Sequence, residues 1–250
     1  MKKQVALMVV FFFLCGAADV HAAIQWFAGN GTAGGATAET NFGTALSPLV
    51  VDIQNFEGFS SGSTVDTIPL AGMNVDVNAI SADGSATENS PRIFAGSFGS
   101  QPAGTINGKT LLSGNASEKA QIEFIFPQPV VGFGVWVFDN ANGIANEFEL
   151  EFFDGSIWHT SPSRIDAAPN STAHVVDGFL GVVSDSGIQK ARVLNYSGSG
   201  GSSLINTAFE LDHAQAAQQV IPEPAALVIW SLLGALGMTV GWSRRRSRET

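Results

Sequence analysis

The chain has 250 residues and a net charge of −10, but its charges are unevenly distributed. Residues 23–220 contain six basic and nineteen acidic residues, so this part alone has a net charge of −13. Such a surface offers no basic patch to neutralise phosphate, which excludes nucleic acid and anionic lipid as partners. About two hundred residues are enough for one domain with a sizeable core.

The first 22 residues have the pattern of a secretory signal peptide. Lys2 and Lys3 precede an apolar run from Val5 to Leu14, and residues suited to signal-peptidase cleavage end at Ala22. Cleavage after Ala22 would remove Cys15, the only cysteine of the chain. The exported domain would then have no disulfide to stabilise it.

The next segment, 23–47, is rich in glycine and poor in apolar residues. It predicts a loop with one short strand at 24–27. From residue 50 onward, short runs with alternating or continuous apolar residues predict strands separated by Gly, Pro, Asn and Asp turns. These runs are 50–57, 73–80, 92–98, 109–112, 120–126, 130–138, 147–153, 157–159, 173–176, 179–184, 191–196 and 204–211.

The middle of the chain gives the clearest strands. Pro127 and Pro129 separate 120–126 from 130–138, and the second run is apolar on both faces, which indicates a central strand with Trp136 in the core. No run predicts an amphipathic helix before residue 221. The sequence therefore predicts an all-β fold, an antiparallel β-sandwich over 23–212, followed by a polar linker over 213–220.

The C-terminal thirty residues follow a different pattern. Pro222, Glu223 and Pro224 precede eighteen uncharged residues, 225–242, and then a basic tail, 243–250, that contains Arg244, Arg245 and Arg246. Eighteen helical residues extend about 27 Å, close to the ~30 Å hydrocarbon core of a bilayer. This pattern predicts a transmembrane helix in the inner membrane with its arginines in the cytoplasm.

This order of tripeptide, apolar span and arginine cluster resembles the PEP-CTERM sorting signal of bacteria that make extracellular polysaccharide. The resemblance covers about thirty residues. It implies that an exosortase-like membrane protease recognises the segment 221–250 and cleaves near Pro222, Glu223 and Pro224. An ordinary C-terminal membrane anchor is the alternative.

The globular part more loosely resembles the jelly-roll domains often found before this sorting signal, which are similar to carbohydrate-binding modules. The similar stretches are 50–59, 120–154, 179–193 and 205–212. This resemblance implies a jelly-roll-like sandwich and, with the sorting signal, a location in the cell envelope or outside the cell.

Two sets of residues are candidates for binding. Glu57, Glu210 and Asp212 lie on the first and last strands of the predicted sandwich, where carboxylates could hold a structural calcium ion. The alternative is that they are ordinary solvent-facing acids on an edge strand. Asp139, Asn140 and Asn142 lie in a predicted turn that could contact sugar hydroxyls. Trp158 could stack on a sugar ring.

Enzyme chemistry has weaker support in the sequence. Glu147, Glu149 and Glu151 have a spacing compatible with glycoside hydrolysis, but acids alternating with apolar residues normally form the wet face of a strand. The prediction is a non-enzymatic surface or matrix protein that associates with extracellular polysaccharide. The alternatives are a purely structural or adhesive protein and, with the least support, a polysaccharide hydrolase.

Overall fold

The computed structural model describes residues 23–83, 90–95, 109–113, 119–139, 146–167, 175–198, 202–207 and 209–218. They all lie in a compact unit that ends at Gln218. The predicted signal peptide, sorting segment and transmembrane helix fall outside the described residues. Within the described ranges, no helix is long and apolar enough to cross a membrane.

The described residues form a helix, α1, and twelve strands. Their bounds in chain order are β1 Ile24–Asn30, α1 Gly31–Leu46, β2 Val51–Gln54, β3 Thr67–Leu70, β4 Met73–Ile80, β5 Arg92–Ala95, β6 Lys109–Leu112, β7 Gln121–Asp139, β8 Asn146–Phe153, β9 Trp158–Thr160, β10 Ile165–Ala167, β11 Val175–Ser197 and β12 Phe209–Ala217. The strands belong to one large antiparallel sheet, which confirms the predicted all-β antiparallel class.

Strands β7 and β11 pair along most of their length and connect two halves of this sheet. In the half we call sheet I, the order is β3, β4, the first part of β7, the last part of β11, and β8, whose outer edge pairs with β9 and β10. In sheet II, β1 pairs with the first part of β11, and the last part of β7 pairs with β12, which also pairs with β2 and β6.

The two sheets stack because β7 bends back on itself. Phe124 and Phe133 would be about 30 Å apart on a straight strand, yet their ring centroids are 4.8 Å apart. Pro127 and Pro129 lie between them, where no β7–β11 pairs form between Ile125 and Val130. The strands predicted separately at 120–126 and 130–138 are thus one strand. Proline has no N–H to donate to a neighbouring strand, and here both prolines lie in the unpaired bend, where no such hydrogen bond is required.

The main core fills the space between the sheets. Alternate residues of β8, β11 and β12 point into it, and Phe148 of sheet I contacts Phe209 of sheet II at a centroid distance of 5.4 Å. Each fully buried Phe contributes about 1.5–3 kcal/mol relative to exposure, so several such rings can hold a domain without disulfides. Trp136 lies in a second cluster, on the other face of sheet II, and is only 2% exposed, as the sequence predicted for a core residue.

Within 23–47, the predicted strand at 24–27 is confirmed and extends to Asn30, but the loop predicted after it is wrong, because α1 occupies residues 31–46. Its glycines and threonines are poor helix formers, so tertiary packing stabilises it rather than intrinsic propensity. Ala38, Phe42 and Leu46 form one buried face that packs on sheet II beside Trp136. The closeness of this packing depends on glycine in the sheet, since a Cβ at Gly132 would lie 2.6 Å from the Leu46 side chain.

The predicted linker over 213–220 is also wrong in its first part. Residues 213–217 continue β12, and Ala214 and Ala216 belong to the main core. Alanines with glutamines between them suggested a polar linker, but the alternation of side chains along a strand places the alanines toward the core. The sandwich therefore extends to residue 217.

Candidate functional site

The outward face of sheet I carries the acids that the sequence analysis considered for catalysis. In β8, Phe148, Leu150 and Phe152 point into the core, so Glu147, Glu149 and Glu151 point to the opposite face. We call this opposite surface, formed by the outward residues of β7, β11, β8 and β9, the outer face of sheet I.

Each of these three glutamates is bound by an arginine. Arg164 Nε donates to Glu149 Oε2 at 2.6 Å, and a terminal nitrogen of Arg164 lies 3.1 Å from Glu147 Oε2. Arg192 Nε donates to Glu151 Oε2 at 2.7 Å. Burial alone would lower the pKa of Arg164, but the two glutamates outweigh it and raise this pKa. The acids are therefore held in ion pairs rather than poised as an acid and a nucleophile.

The two arginines also stack on aromatic rings. The Arg164 guanidinium carbon lies 3.7 Å from the centroid of the Tyr196 ring, and that of Arg192 lies 4.0 Å from the Trp158 ring. Cation–π contacts of this kind contribute about 0.5–1 kcal/mol at exposed sites and more when desolvated. Burial, and then the charge of Glu149, raises the pKa of Tyr196 to about 12, so its hydroxyl stays protonated and donates to Glu149 Oε1 at 3.1 Å.

Trp158, predicted as a sugar-stacking residue, lies half-buried at this surface. It faces Phe153 of β8 with ring centroids 5.5 Å apart and an angle of 42° between the rings. One face of its indole is occupied by Arg192. Beside it, Ile157 is 57% exposed. The structure thus brings Trp158 and Phe153 together as an apolar ledge at the edge of the charged face.

A tight turn positions this ledge. Asp154 Oδ1 accepts the backbone N–H groups of Ser156 and Ile157, and Asp154 Oδ2 lies 2.8 Å from His159 Nε2. The His159 hydrogen bond is the largest of the effects that lower the pKa of Asp154 to about 2. His159 in turn stacks on the core residue Phe152 at a centroid distance of 4.7 Å. The pair fixes the β8–β9 turn.

The predicted calcium residues lie on sheet II and its connecting segments. Glu57 Oε1 accepts the backbone N–H of Lys109 at 2.8 Å, and Glu210 Oε2 accepts the Thr110 hydroxyl at 2.8 Å. Asp212 is 2% exposed and accepts the N–H of His213. Burial raises the pKa of Asp212 to about 8; the His213 hydrogen bond opposes this rise, and the charges of Glu57 and Glu210 add to it.

These residues do not assemble as a cation site. The described part of the chain includes no group of three or more His, Cys, Asp or Glu side chains that could hold a metal ion. The calcium prediction gains no support from this geometry.

Of the other predicted ligand residues, Asp139 ends β7, and its backbone pairs with Val175 and Phe209. Asn140 and Asn142 lie outside the described residues. Arg164, Arg192 and Tyr196 were not among the residues predicted from the sequence. The period-two alternation from Lys190 to Tyr196 was the available signal, because it places Arg192 and Tyr196 on the outward side of a strand.

Comparisons with known proteins are sparse. No protein-family model and no curated protein matches the chain. Among solved structures, it is similar to the K2 cleaved adhesin domain of Lys-gingipain, with 12% identity and a TM-score of 0.39 over 67% of this chain and 99% of that one. The K3 and K1 domains from Porphyromonas gingivalis W83 align over 66% and 68% of this chain and 98% and 99% of theirs, with 12% and 13% identity and TM-scores of 0.33 and 0.27. Similarities this distant assign neither a family nor an activity.

Proposed function

We propose that this chain is an exported, non-catalytic surface or matrix protein that associates with extracellular polysaccharide. Its β-sandwich, which we expect to be jelly-roll-like, would be the binding part. Its C-terminal segment would hold it in the inner membrane until an exosortase-like protease acts near Glu223. The supports for sorting are the Pro222–Pro224 tripeptide, the uncharged span 225–242 and the arginines behind it.

The observation that carries the non-catalytic part is the ion pairing of Glu147, Glu149 and Glu151. A glycosidase needs one carboxyl that is protonated and one that is free to act as base or nucleophile. Here all three carboxylates accept hydrogen bonds from arginine, so each is committed to an ion pair. The role that remains for this face is structural or ligand-binding.

A structural or adhesive protein without a glycan site is the second candidate. The observation in its favour is the Arg192 guanidinium over Trp158, which leaves the indole only one face for a sugar. The test is binding of the purified protein to the exopolysaccharide of its own host, with calcium and with a chelator. Saturable binding without release of reducing sugar supports the first candidate. Absence of binding by the folded protein supports the second, and release of sugar overturns both.

A further inference from the structure

The outer face of sheet I has a composition unlike the rest of this acidic domain. Three of the six basic residues within 23–220, namely Arg164, Lys190 and Arg192, lie on it or at its edge, each beside a glutamate. Four glutamates lie beside them (Glu123, Glu147, Glu149 and Glu151), and Asp76 of the neighbouring β4 lies opposite Ile125, so this side of sheet I is only slightly negative. A polymer without charge can approach this surface with little electrostatic penalty.

One row of outward residues crosses the face from strand to strand. Ile125 of β7 lies opposite Lys190 of β11, and Lys190 lies opposite Phe153 of β8. Phe153 in turn lies opposite Trp158 of β9. Four adjacent strands span about 14 Å. Over these four strands the row has apolar residues on both sides of a cationic hydrogen-bond donor, in a line long enough for a short run of sugar rings. Beyond Ile125 the row continues to the exposed Asp76 of β4.

We propose that this row, with Phe153 and Trp158 as its stacking ledge and Lys190 as its donor, binds an uncharged polysaccharide. The proposal rests on the proposed function and names the ligand class and the surface. Sugar rings present C–H groups on their faces and hydroxyls at their rims, so they match an aromatic ledge flanked by polar groups.

The polar groups around the ledge are fixed in advance. Arg192 is held between Glu151 and the Trp158 ring, and Glu151 also accepts the Thr160 hydroxyl at 2.9 Å. Lys190 is different, because its side chain is 38% exposed and its Nζ lies 3.9 Å from Glu123, a loose contact that leaves N–H groups for a ligand. A surface held in its binding geometry loses little conformational entropy when a ligand binds.

Charge distinguishes this ligand from two other occupants. A polyuronate would be repelled by a domain of net charge −13, and a second copy of the chain would bring the same negative charge to the contact. An uncharged polymer avoids both penalties. Binding should therefore depend weakly on salt, because few long-range charges are involved.

Affinity electrophoresis of the full chain in mild detergent tests the proposal, since an acidic protein migrates well in native gels. The gels contain dextran, a soluble β-linked glucomannan or polygalacturonate, and a gel without polysaccharide corrects for mobility. We expect retardation by at least one of the two uncharged polymers and none by polygalacturonate. Retardation by polygalacturonate alone overturns the assignment of an uncharged ligand.

Variants then locate the surface. Trp158→Ala should weaken binding about tenfold or more, as loss of an aromatic anchor does. Lys190→Ala, which removes the proposed donor, should weaken it about two- to tenfold, as loss of one hydrogen bond does. Ile53→Ala, which alters an exposed apolar side chain on β2 of sheet II, should leave binding unchanged. Thermal unfolding confirms that each variant is folded.

The outcomes separate this inference from the function on which it rests. If the wild-type chain binds its host's exopolysaccharide and the Trp158→Ala and Lys190→Ala variants bind equally well, the surface is wrong and the proposed function stands. If the wild-type chain binds no polysaccharide at all, both fail. If Trp158→Ala abolishes self-association in sedimentation but not polysaccharide binding, the ledge is a contact between copies and the proposal is overturned.

Discussion

Two glycines of α1 should respond in opposite directions to the same substitution. Gly35 is buried against sheet II, and a Cβ there would lie 2.4 Å and 2.5 Å from two ring atoms of Trp136 and 3.1 Å from the backbone nitrogen of Phe179. Gly43 lies two turns further along the helix, and a Cβ there would have no atom within 4 Å. Gly35→Ala and Gly43→Ala therefore differ in packing but not in chemistry.

The magnitudes follow from two terms. Alanine favours a helix over glycine by about 0.8–1 kcal/mol, a gain that both variants receive. Overpacking a well-packed core costs about 1–3 kcal/mol, and only Gly35→Ala incurs it, because Trp136 is buried and cannot rotate away. We expect Gly43→Ala to stabilise the protein by about 0.5–1 kcal/mol and Gly35→Ala to destabilise it by up to about 2 kcal/mol.

Urea unfolding of both variants beside the wild type measures these changes, and near-ultraviolet circular dichroism reports on the packing of Trp136. The melting temperatures of the two variants should differ by roughly 5 °C or more. If Gly35→Ala is as stable as Gly43→Ala, the helix does not pack against Trp136 as described. Gly35 would then not be what allows α1 to pack closely on sheet II.

Three further predictions concern single carboxyl groups. Mainly because of burial, the pKa of Asp212 is about 8 in the folded protein, against an ordinary value of 3.8, so the stability of the fold falls as pH rises between these values. Asp212→Asn should therefore stabilise the protein by up to about 4 kcal/mol at pH 7 and hardly at pH 4. An equal effect at both pH values would contradict this. The hydrogen bond from His159 is the main reason why the pKa of Asp154 is lowered to about 2, so the stability that Asp154 contributes is present above pH 3.8 and lost as pH falls toward 2. Asp154→Asn should destabilise the protein by about 1 kcal/mol at neutral pH, after allowance for solvent screening. At pH 2, thermal unfolding should show no loss of stability in this variant. Replacing Glu223 with Gln should leave export intact but stop C-terminal processing in the native host, and normal processing on an immunoblot would leave the tail as an ordinary anchor.

The strands were largely predictable because their patterns are local. In β8, three glutamates alternate with Phe148, Leu150 and Phe152, and period-two alternation directly encodes one buried and one outward face. Helix α1 was not predictable in the same way, since Ala38, Phe42 and Leu46 form a narrow stripe among poor helix formers. What stabilises it is packing on sheet II, where Gly132 leaves room for the Leu46 side chain although it lies 86 residues further along the sequence.

The candidate site illustrates the same division. The sequence identified Trp158 and the glutamates of β8 as outward residues, but it could not identify their partners. Arg192 lies 41 residues from Glu151 and Arg164 lies 17 residues from Glu147, so only strand pairing brings these charges together. That pairing is what argues against catalysis by acids that appeared free in the sequence.

The sequence alone determined the antiparallel strand content and the burial of Trp136, since alternation and two-sided apolarity are properties of single strands. It is also the sole basis for the predictions of export and sorting, because a charge-flanked apolar run is recognised as a linear segment. Only the tertiary structure decided that β7 bends to join two sheets, that α1 covers sheet II, and that Asp212 is enclosed with other acids. These depend on contacts between distant residues, and the protonation of a buried carboxyl depends on the surroundings that the folded chain provides.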